Sequence, residues 1–306
     1  MTSPDQHPRP VTDLPPPPGV NLPAPAPELY PELRRVGAKV TLREYLAELW
    51  RRREFAITVP LGQMRANNQD TVLGQFWHLL NPLLLVGVYY VVFGVILQIE
   101  ERRGMDIDDY LQFLIVGVLT FNFTRSTVQS GARMIVKNRQ LVQSINFPRA
   151  ILPASAMVAE TLAHFYAIPV MFGLLLLTGA TPNVFWLMIF PIVLLQAMLN
   201  LGLAMAVSRL TFHFRDVQNL LPFLLRIWFY ISGVLYPINE ELIPQTWARV
   251  LLELNPAYAV VEASRAAFLS GRLDAGTWVT LVSWSVLSLV IGFWFFRRAE
   301  SEYGRV

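Results

Sequence analysis

The sequence contains no cysteine, which excludes disulfides, CxxC metal sites and thiol catalysis and leaves the compartment open. Charge is scarce as well. Asp, Glu, Lys and Arg make up 15% of the chain against 54% hydrophobic residues, and mean hydropathy is +0.41. So little polar surface cannot cover the apolar remainder in one water-soluble globule, and the chain reads as an integral membrane protein. No GxxxxGK[ST], HExxH or GxSxG occurs, so a Walker loop, a zincin site and a nucleophile elbow are all unexpected. Four histidines, His7, His78, His164 and His213, lack metal-ligand spacing. Glu160 and His164 stand at i and i+4 on one helix face, as two ligands of a site or, more simply, as a polar pair bracing helices. The pI is near 9.3, yet net charge is only +3 and the bases flank apolar runs, a pattern of membrane topology and not of nucleic-acid binding.

What the sequence has in abundance is long apolar runs. A hydrocarbon core about 30 Å thick needs roughly 20 apolar residues per helix, and six segments qualify: 76–97, 110–131, 151–178, 184–207, 217–236 and 278–296. The expected fold is therefore an all-α polytopic membrane protein with six transmembrane helices over 76–298. Nineteen Lys and Arg fall before the first span, in 124–150, in 208–219 and after the sixth; five fall on the other side, and Arg226 lies within a span. By the positive-inside rule both termini face the cytoplasm.

Ahead of the spans, residues 1–40 are proline-rich and poor in bulky hydrophobes, predicting a disordered or polyproline-like cytoplasmic tail and no signal peptide. Within 41–75, Leu42, Tyr45, Leu46, Leu49 and Trp50 recur at helical spacing beside Arg51, Arg52 and Arg53. With Thr41 as N-cap to Glu44 this predicts an amphipathic helix on the inner interface, either a plain anchor or a partner contact. Residues 299–306 are a cytoplasmic tail. A further feature is the stretch MIVKNRQLVQSINFPRAILP, which carries Lys137, Arg139 and Arg149 and no acid. It is either an ordinary positive-inside loop or a surface that receives a partner.

Four blocks carry a family resemblance: RANNQDTVLGQFWHLLNPLLLVGVYYVVFGVIL, FLIVGVLTFNFTRSTVQSGARMIVKNRQLVQSINFPRAILP, FRDVQNLLPFLLRIWFYISGVLYP and LNPAYAVVEASRAAFLSGR. In this order they cover most of 65–272 and resemble ABC-2 type permeases that export bacterial polysaccharides. The resemblance implies a short coupling helix between spans two and three, about Lys137, Asn138, Arg139, Gln140, Leu141, Val142, Gln143 and Ser144. Leu141 and Val142 would be its apolar contacts in a groove of a separate cytoplasmic ATPase, and Pro148 would end it. It further implies a homodimer joined to two ATPase chains. This chain would then be a transport subunit and no enzyme, without cofactor of its own, ATP and Mg being bound by the partner. The cargo would be a polyprenyl-diphosphate-linked polysaccharide of O-antigen, teichoic acid or wall-galactan type, moved across a bacterial inner membrane.

Further expectations concern single residues. Residues 237–277 hold two apolar bursts, each too short to span, split by Asn255 and Pro256; they read as re-entrant or interfacial helices. By resemblance these are outer gate helices, with Pro244, Trp247, Asn255, Pro256 and Tyr258 at the gate. Arg226 lies roughly 10 Å into the membrane, and a charge there must snorkel, face water or pair; Glu160 is its best opposite-sign partner. Aromatic residues default to belts and packing, while the resemblance implies a sugar path lined by Tyr89, Phe93, Trp228 and Tyr230. Arg51, Arg52, Arg53 and Arg65 are placed to attract lipid phosphates. Competing readings are an ABC-2 exporter of a drug or simple lipid, an ion-driven secondary transporter, and a membrane glycosyltransferase, for which the cluster Asp106, Asp108 and Asp109 lies on the wrong side.

Overall fold

A computed structural model describes residues 41–54, 58, 77–96, 107–144, 147–238, 244–300 and 302–303. The proline-rich segment 1–40, most of the lead-in 55–76 with Arg65, and the side chain of Phe93 lie outside the described residues. Every regular element among those described is helical.

Helix α1 is Leu42–Arg51, and its start is fixed by a capping box. Glu44 N–H donates to Thr41 Oγ1 at 3.4 Å, and Thr41 N–H donates to Glu44 Oε2 at 3.2 Å. Helix α2 is Trp77–Tyr89 and continues as a π-helical stretch, Tyr90–Ile96. Next come α3, Ile107–Lys137, the short α4, Arg139–Ser144, and α5, Ile151–Leu177. A 3-10 turn, Val184–Met188, leads into α6, Ile189–His213. Helix α7 is Val217–Ile231, α8 Thr246–Glu253, α9 Pro256–Phe268 and α10 Ala275–Arg298.

Four of these stretches are long and apolar enough to cross a membrane: Ile107–Lys137, Ile151–Leu177, Val184–His213 and Ala275–Arg298. Six were expected, and four reach that length among the described residues. The first expected span is helical but changes from α to π at Tyr90. The fifth stops early, because 15 residues of α7 rise only about 22 Å at 1.5 Å each. It breaks at Ser232 and Gly233, where Gly233 takes φ +61°, a left-handed conformation that suits glycine. A broken helix inside a membrane leaves carbonyls that water cannot satisfy. Here protein donors take them: Arg265 donates to Gly233 O at 2.8 Å and to Val234 O at 2.7 Å, and the Tyr110 hydroxyl donates to Leu235 O at 3.3 Å.

Helix α3 is the central element and packs on α2, α5, α6, α7 and α9. Its inner residues, among them Leu114, Ile115, Val116, Leu119 and Phe121, are fully buried, which explains why a 31-residue helix reads as apolar nearly all round. The tightest pairing joins α6 to α10. A Cβ on Gly202 would collide with the Ser288 backbone and one on Gly292 with the Gly202 backbone, and Ser288 Oγ donates to Leu199 O at 2.9 Å. Small residues at i and i+4 here let two helices touch backbone to backbone, a membrane packing device that needs no hydrophobic drive.

The chain reverses at each end. Following α3, α5, α6 and α10 in turn, α4, α1 and the segment after α10 gather at one end of the bundle, where Tyr45, Ala150 and Glu300 are in hydrogen-bond contact. Helices α8 and α9 occupy the other end.

Candidate functional site

At the first end the chain turns from α3 into α4 at Asn138, whose N–H and Nδ2 both donate to Met134 O, at 3.2 and 2.8 Å. Val142 N–H then donates to Asn138 O, so the residues expected to couple, Lys137 to Ser144, are one short helix with its lead-in. Lys137, Arg139, Gln140 and Gln143 are exposed and Leu141 half-buried. Val142 is different. It is 2% exposed, turned into its own chain like Phe147 and Pro148, so it holds α4 in place and is not a contact offered outward.

Directly after α4 the chain is tied to both termini of the folded unit. Tyr45 of α1 donates its hydroxyl to Glu300 Oε2 at 2.9 Å and accepts from Ala150 N–H at 3.3 Å. Arg149 N–H donates to Glu300 Oε1 at 2.8 Å, and Arg149 Nη1 donates to Glu300 O at 2.9 Å. Tyr303 folds back, buried, against Phe212 and Phe296 and donates to Phe296 O at 3.1 Å. Burial pushes the Glu300 carboxyl above its ordinary range, with the bonds from Arg149 and Tyr45 opposing. Burial also drives the Tyr45 phenol upward, and the Glu300 charge adds to it. Helix α1 thus docks on protein through Tyr45, while Leu42 and Trp50 stay exposed. Of its arginines, Arg52 pairs with Glu48 at 3.1 Å, Arg53 stacks over Trp50, and Arg51 is exposed.

At the opposite end the short helices α8 and α9 meet at Asn255. Asn255 caps α9, accepting from Ala257 N–H at 3.0 Å, and Pro256 opens the helix. Three indoles pin the pair. Trp228 Nε1 donates to Asn255 Oδ1 at 2.8 Å, Trp284 Nε1 to Leu254 O at 2.7 Å, and Trp186 Nε1 to Phe268 O at 3.0 Å. Helix α9 does not float on a surface: Val260, Val261, Ala263, Ser264 and Phe268 are buried, and the helix packs on α3 and α10. Pro244 and Trp247 are exposed, and Tyr258 is half-buried at a cavity of about 590 Å³ that also meets Glu253, Glu262 and Asp274. Bonds from Thr277 hold the Asp274 carboxyl below its usual range.

Arg265 is the residue that reading the sequence missed, since it counted only as one of the loop charges. It is 4% exposed, lies 3.3 Å from the centre of the Phe113 ring, and donates to Phe113 O as well as to the two carbonyls that follow α7. Treating VVEASRAAF as membrane-embedded would have flagged it, because an arginine there needs a partner.

Among the described residues Glu160 and Arg226 make no ion pair with each other. Glu160 on α5 accepts from Ser130 Oγ of α3 at 2.5 Å, while α7, which carries Arg226, packs on α3, the helix that separates the two. His164, one turn on, stacks on Phe123 at 4.6 Å, so Glu160 and His164 brace α3 separately. Arg226 instead shares a cavity of about 280 Å³ with Tyr89, Arg125, Leu225, Phe229 and Tyr230. Two of the four aromatic residues expected to line a path, Tyr89 and Tyr230, meet there. Trp228 does not: its indole is spent on Asn255 and its ring packs edge-on against Phe121, because on a helix a residue two positions from Arg226 points elsewhere.

Comparison with known proteins adds the context. The O-antigen export system permease protein RfbA of Myxococcus xanthus is 30% identical over 260 residues, 84% of this chain and 96% of the relative. Its namesake from Klebsiella pneumoniae is 23% identical over 254 residues, covering 83% and 95%. The polysialic acid transport protein KpsM of Escherichia coli is 27% identical over 237 residues, covering 74% and 86%. The family model for ABC-2 type transporters matches residues 62–269, from ahead of α2 to the end of α9. This chain, a multi-pass bundle whose matched region holds both the short basic helix and the broken helix pair, belongs to the ABC-2 type transporter family.

Proposed function

We propose that this chain is the membrane permease subunit of an ATP-driven exporter that carries a polyprenyl-diphosphate-linked polysaccharide out of the cytoplasm. The observation that carries this reading is likeness over nearly the whole length of relatives named for O-antigen export and polysialic acid transport. In this reading two copies form a homodimer in the bacterial inner membrane, with both termini in the cytoplasm, and two copies of a cytoplasmic ATPase dock on α4. The ATPase binds ATP and Mg, and this chain contributes no cofactor. Its strokes reach the bundle through the exposed Lys137, Arg139, Gln140 and Gln143 and through Leu141, with Val142 anchoring α4 to the bundle. Lipid phosphates gather near Arg51 and Arg53, with Arg65 as a further attractor. The glycan passes Tyr89 and Tyr230, whose faces suit sugar rings, and Asn255, Pro256 and Tyr258 stand with Pro244 and Trp247 at the outer gate. Six passes of the chain keep both termini inside, α2 with its π stretch and α7 with the turn after it serving as the first and fifth.

Depleting the protein in its host and separating internal from surface lipid-linked glycan tests the proposal. Long lipid-linked chains should accumulate inside and vanish from the surface. Normal surface glycan with altered drug or phospholipid efflux would sink it and favour the plain ABC-2 exporter.

A further inference from the structure

Two arginines face one cavity without an acid to balance them. Arg125 comes from the middle of α3, Arg226 from α7, and the lining is completed by Tyr89, Tyr230, Phe229 and Leu225. Among the described residues neither guanidinium makes a hydrogen bond or an ion pair. The contrast with Arg265 is direct, since that guanidinium is buried and its donors meet three carbonyls. Around Arg226, by comparison, the outward residues of α7 include Leu220, Phe223, Leu224, Ile227 and Ile231, side chains that offer the guanidinium no acceptor.

An unpaired charge on such a face costs several kcal/mol against lipid unless it meets water or an anion. Two such charges on one cavity repel each other as well, which raises the cost and leaves an anion as the ligand that relieves both. Guanidinium groups present forked donors that match phosphate oxygens. Tyr230 adds a phenol donor and a flat face, while Tyr89 stacks on Phe229 at 5.2 Å and walls the cavity. A cavity of about 280 Å³ equals on the order of nine waters of liquid volume, room for a diphosphate but not for a length of glycan.

We infer that Arg125 and Arg226, with Tyr89 and Tyr230, form an anion site between α2, α3 and α7 that holds the phosphate group of a lipid-linked sugar during passage. This deepens the export reading and rests on it. The site takes the charged junction between lipid and sugar, while the exposed Tyr230 is left for the first sugar ring. It also differs from the arginines of α1, which are distant in sequence and outside this cavity.

The test uses the full-length protein in nanodiscs and radiolabelled polyprenyl-diphosphate-N-acetylglucosamine as probe. Arg125→Gln and Arg226→Gln should each weaken binding about tenfold or more, the loss expected for a charge-assisted contact. The double variant should bind no better than background, and Arg125→Lys and Arg226→Lys should each retain more than the glutamine variants. Inorganic pyrophosphate should displace the probe from the unaltered protein, a result that needs no variant to fold, and uncharged polyprenol should not. Wild-type affinity in a double variant that still melts normally would overturn the inference. Equal competition by phosphatidylglycerol would also overturn it, marking a general lipid head-group site. Weakened dimerisation with unchanged probe binding would assign the arginines to contact with a second copy and overturn it too. The export reading fails separately, by normal surface glycan in depleted cells.

Discussion

Replacing Arg265 by methionine removes the guanidinium donors that close the break after α7, leaving Tyr110 on Leu235 O, while keeping most of the side-chain volume. Three carbonyls lose a partner: Phe113 O on α3, and Gly233 O and Val234 O in the turn. Each buried acceptor left alone costs about 1–3 kcal/mol. Against this, methionine needs no desolvated charge in its place, a relief that weighs because Arg265 has no ion-paired carboxylate among the described residues. Phe113 O keeps its bond within α3, so taking the low end at the two turn carbonyls, and setting the relief against the lost stacking on Phe113, leaves about 2 kcal/mol. For a chain of this size that lowers the melting temperature by about 4–8 °C.

The assay is thermal unfolding of the purified protein in detergent, followed by hydrogen exchange across residues 229–238. Arg265→Met should melt early and exchange faster in that peptide. Arg265→Lys should fall between it and the wild type, because one ammonium cannot reproduce a fork that reaches carbonyls on two elements. An Arg265→Met protein that melts with the wild type and exchanges no faster would refute the capping account.

Two further predictions concern packing and charge. Gly292→Leu should cost about 1–3 kcal/mol or more through overpacking against Gly202, whereas Gly173→Ala in α5, where a Cβ meets nothing, should gain up to about 1 kcal/mol; melting temperatures of the two variants distinguish them. Glu300 gives a pH test with a definite sign. Its carboxyl is raised in the folded chain, so the fold holds this proton more tightly than the unfolded chain does, and the associated stability is present below the ordinary carboxylate value and lost as pH climbs through the raised one. Glu300→Gln, permanently uncharged, should flatten that dependence in melts between acid and neutral pH; an unchanged slope would discard the assignment.

The sequence announced helices wherever an element is satisfied by its own side chains. The capping box at Thr41 and Glu44, the turn at Asn138 and the Asn255 and Pro256 start of α9 are all local, and each is visible in a few neighbouring residues. What could not be read there depends on which helix lies opposite. Hydropathy runs unbroken through 217–236, yet α7 ends at Ile231 because a guanidinium from α9 takes the carbonyls beyond it. Trp228 looks like any path-lining aromatic until its indole is found on Asn255. Val142 is as apolar as Leu141, and only the body of the chain beneath α4 decides that it turns inward.

The same logic sorts the charges within the bundle, which the sequence presents as one class. Glu160 finds a hydroxyl on the neighbouring helix, and Arg265 finds two carbonyls released by a broken one and a third on α3. Both are then internal matters, and changing them disturbs the fold first. Arg125 and Arg226 find no counterpart in the described chain although they share a wall with two tyrosines. A fold under selection for stability alone would carry an acid, a carbonyl or an apolar side chain at one of those positions. Keeping two unbalanced guanidinia at one cavity costs stability that water returns in part and a visiting anion returns more fully. Hence mutations there should spare the melting temperature and damage binding, the reverse of Arg265, and measuring both properties on both sets separates the parts of this membrane bundle that hold it together from the parts that act.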